Sequence, residues 1–599
     1  MNYPPIDSYA FLSDTHTAAL VAADGAIEWF CVPHFAGDAV FARMLDRRRG
    51  GVFDLSVVGC AGPSRRYLPD TLVLESRWTT PDGAAVVHDF LAVAPDGVAQ
   101  PVRPNKLLVR RVRVEQGRVR LAARVAPRPG YGAQDVTWRQ VDGRWRAAGA
   151  PLWIGSDLPC EVTEGVLRIE GELAAGATAV VLAGYSEDAT VEVDPDELLA
   201  RTCRTWQAWS ARSDYAGFGA EAVRHSALVL RGLSFDETGA LIAAATTSLP
   251  EEIGGVRNWD YRYTWHRDAA LLLLALFRLG HAKEGRRYGR FLLSLCTEEL
   301  LTPLADIHGR ASEEQELSHL EGYAGSRPAR IGNEAAEQVQ FDTYGHILDG
   351  ALVYQELTGD LTDEEWTLLR RHVDVMADRW REPDHGTWEV RGPRRHYVNA
   401  KVMTWVCLDR GIRLAKLLDD RTADVERWRA ARDAIRAEVL ERGFNPQLNS
   451  FVMTYDSTRL DASLLRIPLV GFLPGDDPRM LATIDRLREE LEIGPGLLLR
   501  YRADDGLPGT EGAFLICSFE LVSALVLAGR RDEAAEVFDQ LSRYAGPLGL
   551  YAEELAPDGT ALGNYPQAFT HLALIEAALN LDGAGNREAL HAWAARVGS

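Results

Sequence analysis

Cysteine is scarce in these 599 residues, and it follows no pairing pattern. The seven cysteines (Cys31, Cys60, Cys160, Cys203, Cys296, Cys407 and Cys517) are scattered, odd in number and without CxxC spacing. That argues against a disulfide framework or a cysteine zinc site, and for buried free thiols in a reducing compartment. Lysine is scarcer still: Lys106, Lys283, Lys401 and Lys416 are the whole set. No Gly-Lys dipeptide occurs, which excludes a standard P-loop. His266, His385, His396 and His571 show no metal-binding spacing such as HExxH, so packing is the reading for them. Positive charge is in deficit. A formal net charge of −21 argues against nucleic acid or an anionic membrane as partner. Long apolar runs are missing too, since the strongest, Ala269 to Phe277, is too short to span a bilayer. The opening MNYPPIDSYAFLSD has no basic head and no apolar h-region. No signal peptide is expected, and the cytoplasm is the expected location.

What is present suits a soluble protein with more than one domain: 46% of residues are apolar and 25% charged. The chain changes character near residue 195. Before it, short β-type runs alternate with turn signals, as in AADGAIEWF, TTPDGAAVVHDFLAV, QVDGRWRAA and TEGVLRIEGEL. Asp-Gly between apolar runs reads as hairpins, and the spacing predicts an antiparallel β-sandwich over residues 1–193. DPDELLARTCRTWQAW then carries acidic residues in a first helical turn, so residues 194–216 read as a helical linker.

From residue 217 to 599 the pattern is helical. Twelve segments are expected, starting near residues 219, 267, 283, 336, 363, 398, 424, 461, 478, 512, 531 and 566. The even-numbered ones are often apolar nearly all round, as in DAALLLLALF, AFLICSFELVSALVLA and AFTHLALIEAALNL. Such helices must be buried on every side. The odd-numbered ones, such as DEEWTLLRRHVDVMADRW, are more amphipathic. Inner apolar helices alternating with outer amphipathic ones describe an (α/α)6 helical barrel. The fold class is mainly α with an all-β N-terminal domain.

Unusual residues cluster in the segments leading into the even helices. These are 254–268, 321–335, 386–401, 455–463, 505–513 and 550–568. Helices that alternate in direction bring those segments to one end of the barrel, around one cavity. Trp, Tyr, Arg, Asp and Glu dominate them, which suits a sugar: aromatic faces stack on C–H surfaces and charged groups bind hydroxyls. Glu389 follows Trp388, and a carboxyl desolvated by an aromatic wall is kept protonated, as a general acid needs. Glu553 and Glu554 are adjacent, and only one can face the cavity comfortably. Glycoside hydrolysis needs two carboxyl groups, one to protonate the leaving oxygen and one to activate water or attack. The bland reading of each glutamate is a solvated loop residue. NWDYRYTWHRD reads equally as a packed aromatic cluster with an internal Arg–Asp pair.

Several motifs in order resemble glycoside hydrolase family 15, the family of glucoamylases, glucodextranases and some bacterial trehalases. RNWDYRYTWHRDA resembles the family's lead into its second helix, where bacterial members usually have Leu at the position of His266. GSRPARIGN with NEAAEQVQFDTYG resembles the lead into the fourth. WEVRG with KVMTWVCLDRG resembles the general-acid segment, and YAEE with GNYPQAFTHLALI the general-base segment. DSYAFLSDTHTAALVAADGAIEWFCVPHF resembles the start of the bacterial β-sandwich domain. The resemblance implies Glu389 as general acid and Glu553 as general base. It implies that Arg267 and Asp268 hold hydroxyls of the non-reducing glucose, with Tyr261 and Trp265 lining that subsite and Arg327 and Arg330 approaching it, and Trp388 is expected among the substrate-binding residues. It implies an inverting, exo-acting α-glucoside hydrolase that releases β-D-glucose from trehalose or a short malto- or isomalto-oligosaccharide.

No cofactor and no metal are expected. The expected partner is a small carbohydrate substrate, and the sequence leaves a homo-oligomer open. The alternative readings are a phosphorylase of related (α/α)6 architecture and a catalytically inactive glucan-binding protein. A carboxylate at position 553 opposes the first, because it would repel an incoming phosphate.

Overall fold

The computed structural model describes residues 3–94, 103–186, 194–296, 301–311, 313–455 and 457–583. The strands between Ala10 and Gly184 pair antiparallel throughout. They form two sheets joined by one long strand, Arg103–Ala126. Up to Gly117 this strand pairs with Gly83–Ala94 and Thr178–Gly184. From Arg118 it pairs with Val166–Ala174 and Val52–Val57. Gly117 marks the change of partner with φ at +62°, and a Cβ there would fall 1.9 Å from the carbonyl oxygen of Asp82. Only glycine fits. The faces turned toward each other bury Leu12, Val21, Ile27 and Phe53 from one sheet against Leu74, Val87, Leu108 and Val181 from the other. The expected Asp-Gly hairpin is present at Asp142-Gly143. Both residues have positive φ (51° and 74°) between strands that pair Val141 with Arg144, as a primed two-residue turn requires.

The helix Pro195–Ser210 follows, with Asp194 accepting a hydrogen bond from the Asp196 N–H at its N-cap. It fastens the two halves together. Leu198 is buried with sheet residues, while Trp206 and Trp209 enter the helical core. Trp209 stacks on His281 with ring centroids 3.7 Å apart.

Among the described residues twelve α-helices then follow: α1 Ala220–Leu233, α2 Ala269–Arg278, α3 Ala282–Ser294, α4 Asp342–Thr358, α5 Asp363–Arg379, α6 Val398–Leu417, α7 Val425–Arg442, α8 Arg466–Leu469, α9 Pro478–Leu491, α10 Leu515–Leu527, α11 Arg531–Ser542 and α12 Ala568–Leu581. The even members contact one another in order, and α12 returns to α2, so the inner ring closes. Residues Leu515 to Leu525 of α10 are all buried. The outer α5 instead buries Trp366, Leu369, Val373 and Met376, a helical stripe, and a Thr362–Glu365 capping box starts it. In the inner ring α4 and α6 touch through Gly345, where a Cβ would lie 2.1 Å from the carbonyl of Met403. Among the described residues no helix is long and apolar enough to cross a membrane.

The sandwich packs against the barrel at the end where the even helices begin. Trp29 donates its indole N–H to the carbonyl of Ala245 at 2.7 Å. Arg262 forks onto Asp260 at 2.9 and 2.7 Å and reaches the carbonyl of Gly37 at 3.0 Å. The segment that carries Tyr261 and Trp265 is therefore braced from behind by the N-terminal domain.

Candidate active site

One pocket collects residues from the segments leading into α2, α4, α6 and α10. Tyr261, Gln338, Glu389 and Arg500 line it, one from each. Glu389 stands in the left-handed region with φ at 60°. A non-glycine residue held there costs about 1–3 kcal/mol, and such strain gathers at functional positions. Its Oε1 accepts the indole N–H of Trp265 at 2.6 Å and lies 3.9 Å from Nη1 of Arg267. Its backbone carbonyl accepts from the side-chain amide of Gln338 at 3.1 Å.

The aromatic group that reaches the Glu389 carboxyl is thus Trp265, not its neighbour Trp388. Trp388 turns its N–H onto Asp461 at 2.7 Å, and Arg267 and Arg500 lie over its ring. Trp265 meets Tyr261 edge-on, with centroids 5.1 Å apart. Tyr261 in turn acts on Glu553. Burial pushes the Glu553 carboxyl up to about 7, against the pull of the Tyr261 hydroxyl, the Asn564 N–H and Arg500. The Asn564 N–H donates to Oε2 of Glu553 at 2.9 Å, while Oε1 is buried and accepts no hydrogen bond of normal geometry. A carboxylate with one occupied and one open oxygen, close to neutrality, can take a proton from water.

Glu554 enters a different network. Its Oε2 accepts the Gly512 N–H at 2.8 Å. Carboxylate oxygens of Glu251, Glu511 and Glu554 lie within 4.8 Å of one another. Such a trio could hold a cation by distance alone. Arg500 fills that place: its Nη2 is 2.6 Å from Glu511, 3.4 Å from Glu251 and 3.9 Å from Glu554. Arg257 adds a fork onto Asp505 at 2.7 and 2.8 Å and a bond to Glu511 at 2.5 Å. Two guanidinium groups face four buried or half-buried carboxyls. Burial and the neighbouring carboxyls push Glu251 and Glu554 well above the usual carboxylate range, against the pull of Arg500.

Arg267 donates to the carbonyl of Thr387 and lies over Trp388 and Phe569. Asp268 closes the turn His266–Asp268 ahead of α2, and its side chain lies outside what is described. The two arginines expected to approach the sugar do not line the pocket. Arg327 is exposed and turns back toward the carbonyl of Glu321. Arg330 packs on Trp259 at 4.8 Å and bonds to the carbonyls of Val256 and Asn258, bracing the wall from behind. His266 is buried, and its Nδ1–H donates to the carbonyl of Pro303 at 2.8 Å. Burial lowers its pKa to about 4, so it is a neutral pin for the loop. Sequence reading singled out neither Arg500, Glu251 nor Arg391. The signal for Arg500 was its place directly after the apolar run LLL, where a charge must be buried and paired.

Comparison with known proteins bears on this arrangement. The family model Glycosyl hydrolases family 15 matches residues 219–579, and the model Trehalase-like, N-terminal matches residues 1–156. The chain belongs to glycoside hydrolase family 15. It is a glycoside hydrolase. It is 39% identical to a trehalase of Mycolicibacterium smegmatis, over 97% of this chain and 91% of that protein. It is 34% identical to a trehalase of Thermoplasma volcanium, over 97% and 94% of the two chains. A bacterial glucoamylase solved with acarbose superposes with a TM-score of 0.73 at 12% identity, covering 99% of this chain and 96% of that one. That likeness concerns the fold: an antiparallel β domain followed by an (α/α)6 barrel.

Proposed function

We propose that the chain hydrolyses a short α-glucoside, trehalose first, from the non-reducing end and with inversion. Glu389 protonates the glycosidic oxygen, and Glu553 takes a proton from the water that attacks the opposite face of the sugar. The observation that supports this reading is the chain of contacts that runs from Glu389 through Trp265 and Tyr261 toward Glu553, with Glu389 and Tyr261 in the pocket lining and Glu553 buried behind Tyr261. Tyr261, Trp265, Trp388 and Arg267 wall the subsite for the terminal glucose, and Asp268 binds its hydroxyls.

The order of events follows from charge. Glu389 acts as the proton donor and Glu553 as the proton acceptor. As the glycosidic bond breaks, positive charge grows on the ring, and Glu553 removes a proton from the water that meets it. Each turnover leaves Glu389 ionised and Glu553 protonated, and solvent resets both. The trehalase relatives support trehalose as the substrate, and they cover nearly the whole chain. Residues 217–599 are the catalytic unit in this reading, with residues 1–193 as its brace.

A glucose-release assay on trehalose, maltose and isomaltose, with and without phosphate, tests the reading. Hydrolysis of trehalose independent of phosphate as co-substrate is expected. Glucose 1-phosphate as product would make the chain a phosphorylase, and no turnover of any α-glucoside would overturn the reading.

A further inference from the structure

The pair of carboxyls leaves open what recognises the leaving sugar. With Glu389 as acid, a reading this inference rests on, that sugar lies on the outer side of Glu389. Exposure identifies the outer side. Glu251, Trp388 and Tyr261 are buried in the pocket wall, whereas Arg391 lines the same pocket and is exposed.

Arg391 is two residues beyond Glu389 on the same loop. Its Nη2 donates to Oε2 of Glu314 at 3.1 Å, and its Nη1 is 3.0 Å from Oε2 of Glu334. The guanidinium lies over Trp259, 4.4 Å from the ring centroid. Trp259 is itself fixed, because its N–H donates to Oε1 of Glu251 at 3.0 Å. Glu314 also holds Arg330, whose Nε is 3.1 Å away and whose guanidinium packs on Trp259. Glu314 thus links the segment leading into α4 to the loop leading into α6, and both arginines pack on Trp259 of the loop leading into α2. A surface arginine normally loses much side-chain entropy when it binds a ligand. Here two carboxylates and an indole have already fixed it. Arginine has five N–H donors, so a guanidinium held by two carboxylates keeps donors for neighbouring hydroxyls.

We propose that Arg391, clamped by Glu314 and Glu334 and packed on Trp259, is the specificity-determining residue for the leaving sugar, binding adjacent hydroxyls of a second hexose at the mouth of the pocket. The residue acts on the leaving group alone, so its effect depends on whether the leaving group is a sugar.

The test compares trehalose with α-D-glucosyl fluoride, which presents the same glucosyl unit and a leaving group without hydroxyls. For Arg391→Ala, the ratio of kcat/KM on trehalose to kcat/KM on the fluoride falls by about tenfold or more, the usual scale for a lost polar contact to a hydroxyl. Arg391→Lys keeps the charge and loses the fork, and lowers the ratio in the same direction. Activity on the fluoride reports folding in each variant. If Arg391→Ala loses both activities together, Arg391→Lys decides by the same ratio. An unchanged ratio in a variant that still turns over the fluoride overturns the proposal. If the wild type cleaves another α-linked disaccharide and not trehalose, the substrate reading fails by itself. The same ratio on that disaccharide still decides the role of Arg391.

Discussion

Glu553 and Glu554 are neighbours in the chain, yet their carboxyls accept hydrogen bonds from different loops: Glu553 from the Asn564 N–H at 2.9 Å, Glu554 from the Gly512 N–H at 2.8 Å. The side chains part because Glu554 begins a short strand, Glu554–Leu555, and alternate residues of extended chain face opposite ways. The two glutamates should therefore respond differently to the same substitution. Glu554 is tied to the Gly512 N–H and does not line the pocket, and glutamine keeps an acceptor oxygen for that bond, so with Glu554→Gln kcat should stay within about threefold of wild type. Glu553→Gln removes the base and should lower kcat by about 10²–10⁴. Steady-state kinetics on trehalose checks both, and equal losses would mean that the base was assigned to the wrong residue.

The pH profile follows from the same carboxyl. Burial pushes Glu553 to about 7, and a general base works ionised. Protonation therefore removes activity as pH falls below about 7, and kcat/KM drops by about tenfold per pH unit on the acid side. The Tyr261 hydroxyl favours the ionised form. Tyr261→Phe should move this acid limb to higher pH, and a downward shift would contradict the assigned contact.

Glu389→Gln removes proton donation. The loss should be about 10²–10⁴ on trehalose and much smaller on α-D-glucosyl fluoride, whose leaving group needs little protonation. Glu553→Gln should slow both substrates alike. The same leaving-group dependence in the two variants would undo the division of roles.

Asp268→Asn keeps size while removing charge. If Asp268 binds the terminal glucose, kcat/KM falls by a similar factor on trehalose, maltose and isomaltose, which share that unit. A loss confined to one linkage would place Asp268 on the leaving-group side. Lower thermal stability with unchanged kinetics would leave it only the start of α2.

Gly345→Ala tests the barrel itself. A Cβ there meets the Met403 carbonyl at 2.1 Å, and backbone cannot yield as a side-chain end can. Destabilisation of about 1–3 kcal/mol is expected from such overpacking, seen as a lower Tm in calorimetry.

The helical plan was legible because apolar periodicity separates inner from outer helices. Several starts slip toward the C-terminus, since irregular backbone intervenes. Residues Glu334–Glu337 form a 3-10 turn before α4, and Ala513–Phe514 a strand before α10. The helix expected at 461 is broken up: a 3-10 turn Ala462–Leu465 leads into four residues, Arg466–Leu469, with Pro468 among them. The proposal of Glu389 and Glu553 as the acid and the base draws on their local company and their order in the chain. Trp265 as the partner of Glu389 could not be read there, because 124 residues separate them. Nor could the bracing of the Tyr261 loop by Gly37, a contact between domains. The placing of Arg327 and Arg330 shows the reverse limit. A charged motif beside a pocket can serve the wall: Arg330 answers to Glu314 and two carbonyls.

Inversion by Glu389 and Glu553 is read directly from the anomers released first. Proton NMR during the first minutes of trehalose hydrolysis, before mutarotation, measures them directly. Each turnover frees one glucose from the attacked carbon and one as the leaving group, which keeps its α configuration. Inversion yields α- and β-glucose in equal amounts at first. α-Glucose alone would mean retention and a covalent intermediate, and would contradict it.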